Sequence, residues 1–218
     1  MSAGRAVESS KRVGPWMGIV FVVLFVVGFL IFTTPDSNKN TQKWDQWWTD
    51  SSHRTAAIIG AYLMVLGCLA FVWFVVDLGQ RFASRGLLPI AFGTMFAGLG
   101  IVSASIRVAI AGGKQFGDLA VQPGGFSAEL DNVGFAILLL SGALAAGAFT
   151  GTASYLAYQD GTLPSWLAIA GFVVAVLQLL GTLFFPFALF VIWVLVASIV
   201  LLRRSPADGP GGPAGPIA

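Results

Sequence analysis

Arg107 is the residue in this chain most able to do chemistry, because it stands where charge is costly. It lies in the run LLPIAFGTMFAGLGIVSASIRVAIAGG, with no other ionisable residue from Leu87 to Gly113. A bare arginine at the centre of a membrane helix costs about 2.5–3.5 kcal/mol on insertion scales. Snorkelling is awkward here: the helix is read with its N-terminus inside, and side chains lean toward their own N-terminus, so Arg107 starts out pointing deeper. A partner inside the bundle is the natural remedy. Asp131 and Glu129 enter at the same outer level, Gln178 stands at a similar depth, Asn132 follows Asp131, and Tyr62 lies about two turns in. The expected arrangement is Arg107 facing inward, paired with Asp131 or Glu129 and hydrogen-bonded by Gln178, with Asn132 and Tyr62 completing an outer polar cluster. A guanidinium so placed suits a planar anion, such as an anionic lipid or metabolite headgroup.

Other chemistries are removed by what the apolar runs lack. No histidine lies in any of them, which argues against paired haem ligands and a serine–histidine protease. No lysine does, so there is no retinal-type Schiff base, and no carboxylate sits at the centre of a run, so the usual proton or sodium relay is missing. His53 is the single histidine, in a polar loop beside Arg54, and reads as a solvated loop residue and not a metal ligand. Cys68 has no partner for a disulfide and reads as packing, as does Ser154 in GTAS. No cofactor, metal, nucleic-acid partner or enzymatic activity is expected.

The elements that must position Arg107 are membrane helices. The composition, 56% apolar and 10% charged, is far from a soluble mix. Six apolar stretches run near Trp16–Thr33, Thr55–Val76, Leu87–Gly112, Asp131–Tyr158, Pro164–Phe184 and Pro186–Leu202, several of them about twenty residues and long enough for a bilayer. The fold class is therefore an all-α membrane protein, six transmembrane helices in one bundle spanning residues 15–204. Residues 1–14 and the Pro/Gly-rich tail 205–218 are expected to be disordered, and no cleaved signal peptide is expected. With the N-terminus inside, Arg5, Lys11, Arg12, Arg81, Arg85, Arg203 and Arg204 are cytoplasmic, against Lys39, Lys43, Arg54 and Lys114 outside. Seven against four places both termini in the cytoplasm. The setting is the bacterial cytoplasmic membrane.

Local signals punctuate these spans. Gly161 suits a left-handed helix stop, Pro164 and Pro89 suit first turns, and Pro186 splits a run too long for one crossing. Small residues mark close crossings: Gly93 and Gly100 at heptad spacing with Arg107, Gly60 and Gly67, Gly171 and Ala175, and Ala143, Gly147 and Gly151 every four residues. In the first outer loop, Trp44, Trp47 and Trp48 beside Lys43, Asp45 and Asp50 suit a short helix at the headgroup level. Its rings would form an aromatic belt or, alternatively, a cover over an outer vestibule. The second outer loop, GGKQFGDLAVQPGGFSAELD, is rich in glycine, and Glu129 and Asp131 at its end favour the start of a helix.

The stretch DGTLPSWLAIAG, Asp160 to Gly171, resembles the inner turn of uncharacterised bacterial polytopic membrane families, Gly-x-Leu-Pro followed by Trp-Leu and a small residue. Arg107 is similar to the arginine of the glycine-bearing third span in such a domain-of-unknown-function group. That group would carry a carboxylate shortly after the arginine, where this chain has Val108, Ala109 and Ile110. The resemblance implies an architecture and no activity. Because packing accounts for nearly every residue, the sequence points first to an accessory or interaction component of the cell envelope. Its partners would be the bilayer, an anionic lipid or another membrane protein. The other reading is a small-molecule, ion or lipid transporter or binding protein built on the outer polar cluster.

Overall fold

The computed structural model describes residues 3–35, 41–117, 120 and 124–203, and every regular element among them is helical. Helix α1 runs Ala3–Ile31, α2 Thr41–Trp47, α3 Ser51–Arg81 and α4 Leu87–Gly117. They are followed by α5 Gly124–Ala136, α6 Ala143–Asp160, α7 Ser165–Leu177 and α8 Phe185–Arg203. A π turn, Ile137–Gly142, joins α5 to α6 without a break in the helix, and a 3₁₀ stretch, Gln178–Leu183, extends α7. Five of the resulting helices are long and apolar enough to cross a membrane: Val13–Ile31, Ser51–Arg81, Ala83–Gly117, Gly124–Asp160 and Phe185–Arg203. Ser165–Gly181 is a shorter apolar helix. Helix α1 begins at Ala3, so most of the segment 1–14 expected to be disordered is helical here. The tail 205–218 lies outside the described residues.

Small residues set the crossings, as their spacing predicts. Lipid offers helices no hydrophobic drive to associate, so close backbone approach and dispersion must hold them. On α1 and α3, Gly28 and Gly60 face one another so closely that a Cβ on either would sit 2.7 Å from the other's carbonyl oxygen. Gly67 lies over the backbone of Phe25. Along α4, Gly93 admits Val75 and Gly100 admits the Sγ of Cys68, so the heptad face that ends at Arg107 is the buried one. The small stripe of α6 receives α7: Gly147 fits against Gln178 and Gly151 against Ala175.

The middle of the bundle is filled by phenylalanine. Phe21, Phe71, Phe96, Phe149 and Phe190 come from α1, α3, α4, α6 and α8 and are fully buried. Their centroids approach to 4.7 Å for Phe21–Phe71, 4.9 Å for Phe96–Phe190, 5.2 Å for Phe71–Phe96 and 5.4 Å for Phe71–Phe149. Most pairs are edge-on or tilted, the geometry that ring quadrupoles favour, each worth about 0.5–1.5 kcal/mol beyond burial. Rings from five helices thus interlock at one level.

The ends of the helices follow their turn chemistry. Gly161 adopts φ 65° after α6, and Pro164 caps α7, which starts one residue later at Ser165. Arg85 binds Asp160 and Gln159 across this end of the bundle, and Arg81 bonds Asp77 within α3 at 2.9 Å. Between α7 and α8 the break falls at Phe184, φ 63°, and Pro186 takes the first turn of α8. Gly181 lets this 3₁₀ stretch nest on the π turn, since a Cβ there would sit 2.5 Å from the Leu139 carbonyl oxygen.

Candidate functional site

Arg107 sits on the buried face of α4, 3% exposed, with its Nε donating to Oδ1 of Asp131 on α5 at 2.7 Å. The two helices meet here because Gly134, three residues after Asp131, has no side chain: any Cβ would collide with Arg107 Cγ. The hydroxyl of Ser103, one turn before Arg107, donates to the Gly134 carbonyl at 2.7 Å and fixes the crossing. Two rings lie against the guanidinium, its Cζ 4.3 Å from the centroid of Phe32 and 3.8 Å from that of Phe135. A desolvated cation over an aromatic face gains about 2 kcal/mol or more. The carboxylate at Nε and the two rings against Cζ make a buried seat for one charge. One buried donor, Nη1 of Arg107, has no hydrogen-bond partner, and the buried Ser127 hydroxyl, one turn before Asp131, has none either.

An elbow, α2 and the turn into α3, packs against the start of α5, where Gly124 lies under the backbone of Thr41 with Asp45 beside it. Trp44 and Trp48 are each 1% exposed, so these two rings face protein and do not form the lipid-facing belt expected of them. The short helix does form; its tryptophans turn inward because the start of α5 offers a protein surface to cover. Trp47 stacks flat on His53 at 3.6 Å, which places the single histidine in an aromatic contact. Arg54 pins the elbow, its Nη1 donating to the carbonyls of Trp48 and Thr49 at 2.8 Å and its Nε to Gln115 of α4 at 3.0 Å.

Asp50 caps α3, its Oδ1 accepting from the Ser52 hydroxyl and the Ser52 N–H, each at 2.8 Å. Those two bonds, the hydroxyl's first, hold its pKa below the ordinary carboxylate value. A lowered folded-state pKa gives stability that is present above the unfolded value of about 3.9 and is lost as pH falls through the folded one. The first turn of α3 is therefore expected to fray below about pH 4. Amide exchange at Ser52, corrected for its intrinsic rate, should quicken in that range, and Asp50→Asn should remove the pH step.

Of the residues expected to cluster, the structure brings Arg107 and Asp131 together and separates the rest. Gln178 is buried but belongs to the α7–α8 turn, its Nε2 donating to the Pro186 carbonyl and its Oε1 without a partner. Facing Gly147 of α6, it closes a bend instead of reaching Arg107. Tyr62 is 66% exposed on the outward side of α3, because its helical phase is opposite the face that meets α1 and α4. Glu129 and Asn132 are exposed on α5, whose buried face carries Ser127, Asp131 and Gly134. Phe32 and Phe135, the rings that complete the seat, are not part of the expected cluster. The available signal was adjacency, Phe135 following Gly134 one turn beyond Asp131. Among the described residues, no three His, Cys, Asp or Glu side chains come together as a metal site. Comparisons of the chain with family models, with curated proteins and with solved structures find no match in any of the three.

Proposed function

We propose that this chain is an accessory component of a bacterial cytoplasmic membrane, a six-span bundle with both ends in the cytoplasm that works by contact with another membrane protein. In this reading the five long apolar helices are joined by α7 with its 3₁₀ extension, Ser165–Leu177 and Gln178–Leu183. At the rises of the two helix types that segment is about 31 Å long, sufficient for a sixth crossing. Arg81, Arg85 and Arg203 then lie at the cytoplasmic ends, with Arg54 and Lys114 opposite.

The observation that carries the reading is the plug of five phenylalanines at the bundle's midlevel, which leaves side chains where a solute path would run. Arg107 supports it from the outer side, since the charge is occupied by Asp131, Phe32 and Phe135. Such a site holds helices in register. Proteoliposomes loaded with inorganic anions or alkali cations should leak no faster than protein-free vesicles. Cross-linking in intact membranes followed by native mass spectrometry should yield one discrete polypeptide in fixed ratio to the chain. Solute flux above the vesicle background that disappears in Arg107→Met would overturn the accessory reading, and so would a chain recovered only by itself.

A further inference from the structure

Helices α1 and α8 run antiparallel in contact: Phe25 meets Phe187 with centroids 5.7 Å apart, Phe21 meets Phe190 at 6.4 Å, and a Cβ on Gly18 would collide with Oγ of Ser198. That register brings the start of α1 and the end of α8 to one end of the bundle. Arg12 lies six residues before Gly18 and Arg203 five after Ser198, so the two stand about 9 Å and 7.5 Å along their axes from the same contact. The apolar spans stop there too, Val13–Ile31 beginning directly after Arg12 and Phe185–Arg203 ending on its arginine. Two touching helices therefore finish at one level on Lys11 and Arg12 and on Arg203, which Arg204 follows in sequence.

The charge at this end is not cancelled within the chain. Residues 1–14 and 203–218 hold five basic side chains against two acidic ones. Arg81 pairs with Asp77 and Arg85 with Asp160, so those carboxylates are already answered. Arg203 is exposed and has no ion pair among the described residues. Toward the other end, residues 32–54 and 113–129 carry four Lys or Arg and five carboxylates. The positive charge of the chain is thus concentrated where α1 begins and α8 ends.

Depth decides what meets it. Trp16, one turn inward of Arg12, is exposed, and so are Tyr158 and Trp166, on either side of the α6–α7 turn. Exposed Trp and Tyr rings sit at the headgroup level of a bilayer, which places basic positions one turn beyond Trp16 among the lipid phosphates. A Lys or Arg at that level strengthens association with an anionic surface about fivefold.

We propose that the paired helix ends of α1 and α8 bind an anionic phospholipid by its headgroup, through Lys11, Arg12 and Arg203. The site requires that α1 and α8 cross the membrane, and it is independent of the accessory reading, since it needs neither transport nor a protein partner.

The test places the whole chain in nanodiscs made of equal parts phosphatidylglycerol and phosphatidylcholine with matched acyl chains. Native mass spectrometry under activation that strips loosely held lipid should retain phosphatidylglycerol over phosphatidylcholine about tenfold. Arg203→Gln should lower that preference about fivefold, and Lys11→Gln with Arg12→Gln and Arg203→Gln should abolish it with unchanged helicity. Lys114→Gln, at the opposite end of the bundle, should leave it as it was. Equal retention of the two lipids by the unaltered chain would overturn the proposal without recourse to any variant. A preference that survives the triple variant would place the lipid elsewhere, and displacement by excess glycerol phosphate would assign the site to a soluble ligand; either result overturns it as well.

Discussion

Asp131→Ala is expected to destabilise the folded protein by about 3–5 kcal/mol, because it strands a guanidinium that is 3% exposed beside a missing carboxylate. The two rings retain their attraction for the cation but do not replace the hydrogen bond that Nε makes at 2.7 Å. The pair as a whole is another matter. Taking two charges out of water is expensive, and replacing both partners by apolar groups is often neutral or stabilising. The double variant Arg107→Met with Asp131→Ala should therefore be more stable than Asp131→Ala alone, although it carries one more substitution. Reversible unfolding in bicelles with a rising fraction of dodecyl sulfate measures both. A double variant less stable than the single one would show that Arg107 contributes through its rings and not through the pair.

Gly60→Val should cost about 3 kcal/mol, near the upper end of what overpacking exacts. The new Cβ would meet the carbonyl oxygen of Gly28 at 2.7 Å and the backbone nitrogen of Phe32 at 3.0 Å. Both obstacles are main chain, in α1 and in the residue that follows it, so relief requires one helix to move away from the other. Phe32 also carries a ring of the Arg107 seat, so the displacement should extend there. Gly98→Val is the matched control, since Gly98 is exposed on α4 with nothing within 4 Å of its Cβ position. That change should stay within about 0.5 kcal/mol, the usual range for a surface site. The same unfolding measurement compares them. If Gly60→Val and Gly98→Val proved equal, α1 and α3 would not cross where these glycines place them.

Interior position could be read from spacing wherever one residue type does one job. Glycines at intervals of four and seven gave the buried faces of α3, α4 and α6, because a missing side chain permits close approach whatever the neighbour. Gly161 and Pro164 gave a turn because their backbone preferences are local. The Arg107 pairing was legible in part, since a charge in a helix demands a partner and few carboxylates enter at that depth. Gln178 and Tyr62 failed the same reasoning, because equal depth does not fix helical phase: Gln178 turns toward Gly147 and Tyr62 toward the outside.

By itself, the sequence determined that this chain is helical, immersed in hydrocarbon and burdened with one arginine that must be answered from within, for these follow from composition and period. Only the tertiary structure decided which carboxylate answers it, and that Phe32 and Phe135 enclose the cation. It also decided that the tryptophans of the elbow face protein. Each of those outcomes depends on the rotation of one helix about its axis relative to another, set by which small residues meet. A one-dimensional pattern fixes which face of a helix is buried but not the helix it is buried against.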